Sequence, residues 1–168
     1  MHDYRIRIAS EEDLGMIEEI YNQNPSFLQE HLGQTVIDAA FLLSDQREMK
    51  AAGFLSCVVE DPSSHAVIGV IDYKPGTEVY LSLLMLHPSC QRQGCGQKIY
   101  HLFEKQMAAQ GGQSIRIDVV ANPEEGNSSS ALPFWTKQGF VPFDETWLEW
   151  GQKRSQALVM RKNIACGK

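Results

Sequence analysis

A chain of 168 residues with 43% hydrophobic and 21% charged residues is long enough to bury one sizeable core and has the composition of a globular protein, so one domain spanning 1–168 is expected. Its formal net charge of −6 argues against nucleic acid held by its backbone and favours a cationic or amine substrate drawn to an acidic cleft. The polar start (Met1-His2-Asp3-Tyr4-Arg5), the lack of any apolar run of bilayer length, and four cysteines with no Cys-x-x-Cys pair or metal-like His partners predict no signal peptide, no membrane, no metal, and reduced thiols in a cytoplasmic protein.

Tyr4 to Ala9 alternates as a strand, with Tyr4, Ile6 and Ile8 on one side. Ser10 followed by Glu11-Glu12-Asp13 starts a helix whose stripe is Leu14, Ile17, Ile20 and Tyr21, and Asn24-Pro25 breaks it. A second helix is expected over roughly Val36 to Leu43, turning Val36, Ala39, Ala40 and Leu43 inward, before a polar segment from Asp45 to Ala52. Phe54 to Val59 and Ala66 to Tyr73 read as strands separated by the turn Asp61-Pro62-Ser63-Ser64. Lys74-Pro75-Gly76 then turns the chain towards a nearly unbroken apolar run, Leu81-Ser82-Leu83-Leu84-Met85-Leu86, stopped by His87-Pro88.

The polar loop Gln91-Arg92-Gln93-Gly94-Cys95-Gly96 follows, and then a helix with Ile99, Leu102, Phe103, Gln106 and Met107 on one face, ended by Gly111-Gly112. Ser114 to Ala121 is a strand with Ile115, Ile117 and Val119 on one side and Arg116, Asp118 and Val120 on the other. A loop from Asn122 to Asn127 precedes a short helix, Ser128 to Gln138, with Ala131, Phe134 and Trp135 buried. Gly139 closes that helix and Phe140-Val141 begins a strand. The stretch Asp144 to Gln156 is polar but holds Trp147 and Trp150, and Ala157 to Arg161 is the last strand.

The strand, glycine-bearing loop and helix in the middle of the chain suit a phosphate. Glycines let the backbone approach a ligand, and the first helical amides lack partners and carry the positive end of the helix dipole. A Walker loop is excluded because no Gly-Lys is followed by Ser or Thr, and a dinucleotide fingerprint because position 99 is Ile and the residues from His87 to Gln93 separate strand from glycines. The remaining pattern, Gln-x-x-Gly-x-Gly after an apolar strand, resembles the pyrophosphate loop of the GNAT superfamily of N-acetyltransferases. A second segment, Ala131-Leu132-Pro133-Phe134-Trp135-Thr136-Lys137-Gln138-Gly139-Phe140, is similar to the family's Ala-x-x-Phe-Tyr/Trp-x-Lys-x-Gly-Phe. The order of elements matches that architecture along essentially the whole chain.

The resemblance implies a mixed α/β (α+β) fold: a mostly antiparallel twisted sheet of about six to seven strands, flanked by about four helices. It implies an acetyl-CoA-dependent N-acetyltransferase acting on a primary amine of a small molecule, peptide or protein. A GNAT-like acyl-CoA-binding sensor or scaffold is the alternative, and a homodimer is left open. By the same resemblance, Leu84, Met85 and Leu86 offer their backbone to the pantetheine arm, with an amide near Leu86 polarising the thioester carbonyl. Arg92, Gln93, Gly94, Cys95, Gly96 and Gln97 form the diphosphate loop, and Asn122, Asn127 and Ser128 compete for the further cofactor contact. A carboxylate must take the ammonium's proton, and Asp118 is favoured over Glu78. The family's tyrosine acid is replaced by Trp135, so the thiolate leaves unassisted or Tyr80 supplies the proton. Cys95 reads as a small loop residue rather than a nucleophile, and the substrate side is expected around Asn24 to Phe27 and Trp147 to Trp150.

Overall fold

The computed structural model describes residues 3–91, 93–122, 127–128 and 131–165. Its strands are β1 (Arg5–Ile8), β2 (Leu55–Glu60), β3 (Val67–Lys74), β4 (Glu78–Leu86), β5 (Ser114–Asn122), β6 (Asn127–Ser128), β7 (Val141–Trp150) and β8 (Lys153–Asn163). They form one sheet in the order β1-β2-β3-β4-β5-β8-β7, with β6 paired to β5. Every neighbouring pair is antiparallel except β4 with β5. The expected mixed fold with a mostly antiparallel sheet is therefore the one observed.

Among the described residues, five α-helices flank the sheet: α1 (Leu14–Asn22), α2 (Pro25–Leu32), α3 (Ala39–Ala51), α4 (Cys95–Ala109) and α5 (Leu132–Lys137). Ile17, Ile20, Leu28 and Leu42 of α1–α3 pack on Val58, Val70, Leu83 and Met85. On the other face, Ile99, Phe103 and Met107 of α4 meet Val79, Leu81, Ile115 and Ile117. Full burial of residues such as Ile99 and Phe103 stabilises by roughly 1.5–3 kcal/mol each.

One irregularity in β4 decides how it serves both layers. Asp72 pairs with Leu83 but Tyr73 pairs with Leu81, so Ser82 is an extra residue, a β-bulge. Val79 and Leu81 face α4 before it; Leu83 and Met85 face α1 and α2 after it, while Leu86 returns to the α4 side. Strict alternation would have kept 79, 81, 83 and 85 on one face.

The break at Asn24-Pro25 holds, with α1 ending at Asn22, but several expectations are corrected. Pro25 does not merely end a helix; it occupies the first turn of α2, where its fixed φ and missing N–H do no harm. The next helix runs on through the supposed polar segment to Ala51, and its buried residue is Leu42, with Leu43 38% and Val36 60% exposed. The polar stretch after Asp144 is almost all β-hairpin, β7 joined to β8. Ile8 is also outward, at the end of β1. Beside it, Arg7 pairs with Asp13 at 2.7 Å and with Glu60, which ties β1 to the start of α1.

Gly69 in β3 marks a close approach. A Cβ there would stand 2.7 Å from Leu86 Cδ2 and 3.2 Å from the Met85 carbonyl. Gly69→Ala is expected to destabilise by about 1–3 kcal/mol through overpacking, read as a lower Tm in thermal denaturation. An unchanged Tm would mean that β3 and β4 spread at no cost.

Candidate active site

The site begins where two strands part. β4 and β5 pair only at Glu78–Ser114, Val79–Ile115 and Tyr80–Arg116. Beyond Tyr80, β4 stays with β3 as far as Leu86–Gly69, and β5 stays with β8 as far as Val120–Ala157. The His87 amide donates to the Ile68 carbonyl at 2.8 Å. Alternation then sends the backbone groups of Met85 towards β3 and those of Leu84 and Leu86 into the gap. Unpaired edges of this kind suit an extended ligand with amide groups of its own. A cleft of about 1120 Å³ fills the gap, with Leu84, Met85 and Leu86 on one wall and Ile117, Val119 and Val120 on the other.

The Leu86 carbonyl is already engaged. Asn24 Nδ2 donates to it at 3.1 Å and Gln91 Nε2 at 3.0 Å, and Gln91 also donates to Asn24 Oδ1 at 2.9 Å. This triangle ties the α1–α2 corner to the loop after β4, so the two ends of the cleft share one support. Of the backbone groups expected to serve a ligand, the amides of Leu84 and Leu86 and the Leu84 carbonyl face the gap.

A few residues beyond Gln91 of the cleft lining, α4 starts at Cys95 with Gly94 as its N-cap, at φ 77° and ψ 3°, and no side chain caps it. The amides of Cys95, Gly96 and Gln97 precede the first helical bond, Lys98 N–H to the Gly94 carbonyl at 3.2 Å. A Cβ at 94 would meet no described atom within 4 Å; one at 96 would lie 3.6 Å from Leu86 and from Phe134. Position 94 thus needs glycine for its left-handed backbone, and the space before the amides is open. Cys95 Sγ accepts the Tyr4 hydroxyl at 3.1 Å and packs against the core. That hydrogen bond, with burial, pushes the Tyr4 phenol up to about 12. Arg92 lies outside the described residues, and of Asn127 and Ser128 only their pairing with Asn122 and Ala121 is described.

Of the three residues expected in the chemistry, two meet. The Tyr80 hydroxyl donates to Asp118 Oδ2 at 2.7 Å. Arg116 Nε reaches Asp118 Oδ1 at 3.0 Å, its Nη2 reaches Oδ2 at 3.1 Å, and the guanidinium lies 5.1 Å from the Tyr80 ring. The Asp118 side chain is 3% exposed. Burial, and then the Asp118 charge, raise the Tyr80 phenol well above its usual range, so it keeps its proton. Glu78 pairs instead with Arg161 at 2.6 Å and does not line the cleft. Trp135 does line it, packed edge-on against Tyr100 and Phe140.

The far end of the cleft is aromatic and acidic. Trp150 meets Tyr21, Phe27 and Phe41 with ring centroids 6.2, 6.3 and 6.4 Å away, and its Nε1 donates to Asp45 Oδ1 at 2.9 Å. His31 stacks on Phe27 at 3.8 Å, and its Nδ1–H donates to the Phe27 carbonyl at 2.9 Å. Burial lowers the His31 pKa, so the ring is neutral near pH 7. Asn24, Phe27 and Trp150, from the two segments expected on the substrate side, line the cleft. Trp147 does not: it is half exposed on β7, beneath Arg154 at 4.3 Å.

Sequence reasoning missed Asp72, which lines the cleft while 3% exposed. Its only signal was a carboxylate within an otherwise apolar strand. Among the described residues, no group of three or more His, Cys, Asp or Glu is placed to hold a metal, and no helix is long and apolar enough to cross a membrane.

Comparison with known proteins gives this geometry a family. Residues 30–154 match the model of the acetyltransferase (GNAT) domain. No curated protein sequence matches the chain. Solved structures share the fold at low identity. An acetyltransferase from Thermus thermophilus aligns with TM-score 0.70 and 16% identity over 97% of this chain and 99% of its own. The spermidine N-acetyltransferase of Vibrio cholerae, in complex with CoA and spermine, aligns with TM-score 0.71 and 15% identity over 96% of each chain. The yncA protein of Salmonella typhimurium, with its cofactor acetyl-CoA, gives 0.63 and 16% over 98% and 95%. With its family model matched across the cleft, both splayed strands and the glycine-bearing helix start, the chain belongs to the GNAT family of acetyltransferases.

Proposed function

We propose that this acetyltransferase takes its acetyl group from acetyl-CoA and passes it directly to a primary amine that is a cation in solution. The observation that carries the reading is the lining of the cleft. Among the described residues, six carboxylates line it (Glu30, Asp45, Glu48, Asp72, Asp118 and Glu149), and no Lys or Arg does. Such walls raise the local concentration of a cation and repel anions. The aromatic group around Trp150 offers π faces to an ammonium, worth about 0.5–2 kcal/mol.

Each wall of the cleft has a part in this reading. The amides of Cys95, Gly96 and Gln97, which precede the first helical bond, hold the diphosphate at the dipole's positive end, with Arg92 beside them in sequence. The edge groups of Leu84 and Leu86 pair with the pantetheine arm, and an amide there polarises the thioester carbonyl. Tyr80, kept protonated, is the phenol that assists the leaving thiolate in this reading; its hydroxyl donates to Asp118, which Arg116 holds in turn. The Vibrio relative, which shares the fold and is in complex with CoA and spermine, supports a cationic acceptor.

A thiol-release assay with acetyl-CoA and a panel of primary amines tests the reading. Release with diamines above release with neutral-tailed amines is expected. Binding of acetyl-CoA without release for any amine would favour a sensor or scaffold instead. Trp150→Leu keeps apolar bulk but removes the π face and the N–H to Asp45. It is expected to raise the amine KM about tenfold, corresponding to about 1.4 kcal/mol, with acetyl-CoA affinity unchanged.

A further inference from the structure

We propose that Asp72 of β3 is the group that accepts the proton of the incoming ammonium. The proposal rests on the acetyl-transfer reading and names the residue which that reading leaves open. Glu78 is paired with Arg161 away from the cleft. Asp118 has both oxygens held, by two guanidinium nitrogens and the Tyr80 hydroxyl, and protonating it would break up that arrangement.

Asp72 differs on each count. It lies in the cleft wall, almost wholly buried, and its Oδ1 has no hydrogen-bond partner among the described residues. An unpartnered buried carboxylate oxygen costs stability, so a fold that keeps one in a binding cleft points to a use for it. Its position is fixed by the bulge. Asp72 pairs with Leu83, and the neighbouring Ser82 hydroxyl donates to the Asp72 carbonyl at 3.1 Å. That is the stretch of β4 between Tyr80, where β5 departs, and Leu84, whose backbone faces the gap. The groups that bear on the carboxyl are Asp45 from α3, Tyr21 from α1, and Cys57 and the Ser56 hydroxyl from β2. None is basic. Burial first, and then the Asp45 charge, push the carboxyl up to about 7, against the hydrogen bond from Ser56. A base titrating there is ionised for a useful fraction of the time at neutral pH and still binds a proton.

The step balances in atoms and charge. One proton of the –NH3+ group passes to Asp72, and the freed lone pair forms the N–C bond to the acetyl carbonyl carbon. The C–S bond breaks, sulphur takes the Tyr80 proton to give the coenzyme A thiol, the second nitrogen proton returns to the phenol oxygen, and Asp72 releases its proton to water.

Asp72→Asn is the test, with acetyl-CoA and the best amine of the panel. The wild type is expected to show a rising limb of kcat/KM near pH 7. The variant should lose that limb and fall roughly 100-fold or more, with calorimetric affinity for acetyl-CoA intact. Stability gives a second readout. The folded pKa lies above the unfolded one, so the native state binds more protons between them and wild-type stability falls as pH rises from the ordinary carboxylate range to about 7. Asp72→Asn should therefore raise Tm at pH 8, with the gain fading towards pH 4; a carboxyl without a part in the chemistry would leave the pH profile of turnover unaltered. Should the variant not fold, Asp45→Asn serves: removing that like charge should move the wild-type limb to lower pH. Acetyl-CoA binding with wild-type turnover and profile in Asp72→Asn, or no limb shift in Asp45→Asn, overturns the proposal alone. Failure of the wild type to bind acetyl-CoA overturns the underlying reading with it.

Discussion

Gly94→Glu is expected to weaken acetyl-CoA binding by roughly 100-fold or more, equivalent to about 2.8 kcal/mol. Two effects add. Gly94 holds φ 77° as the N-cap of α4, and a residue with a Cβ is strained there by about 1–2 kcal/mol. The larger effect is electrostatic. With no described atom within 4 Å of a Cβ at this position, the glutamate extends into the open space before the amides of Cys95, Gly96 and Gln97. There its carboxylate competes for the donors meant for the diphosphate and repels it. Gly94→Ala isolates the strain and is expected to cost only a few-fold in affinity; Gly94→Asn, which tolerates the left-handed region, should cost less still. Isothermal calorimetry with acetyl-CoA, alongside thermal melts to check folding, decides it. A glutamate variant that binds as the wild type does would remove the diphosphate from this loop.

The same loop illustrates what a sequence makes legible. Its strand, glycines and amphipathic helix are contiguous, and local periodicity fixes each, so Gly94 and α4 could be read directly. The alternation placing Arg116 and Asp118 on one side of β5 was equally local. What could not be read depends on pairing between distant segments. Tyr80 meets Asp118 because β4 and β5 align Tyr80 with Arg116, a register no local pattern encodes. Asp72 is buried because α1 packs over β3, and Glu78 stays out of the cleft, paired with Arg161 of β8. The α2 helix was hidden for another reason. Proline ends one helix and begins the next with equal ease, and only the packing of Leu28 and Leu32 decides between them.

Removing one member of the buried ion pair beside the cleft should unsettle the fold more than any surface change. Arg116→Met leaves the Asp118 carboxylate, 3% exposed, with the Tyr80 hydroxyl as its one side-chain partner among the described residues. Breaking a buried pair in this way typically costs about 3–5 kcal/mol. The Arg116 side chain is 31% exposed, so water can enter where it stood, and the lower end of that range is expected. The effect should depend on the partner's charge. Asp118→Asn keeps an acceptor for Tyr80 and leaves a partly exposed arginine that water can serve, so its cost should be about 1 kcal/mol. In the double variant the stranded charge is gone, and the loss should fall well short of the sum of the two single losses. Urea titrations of the four proteins close the cycle. Additive losses would mean that Arg116 and Asp118 act independently and that the Tyr80 hydroxyl is held by packing alone. With strong coupling, Arg116→Met should also slow turnover more than it weakens acetyl-CoA binding, because the group it displaces is the phenol and not the diphosphate grip.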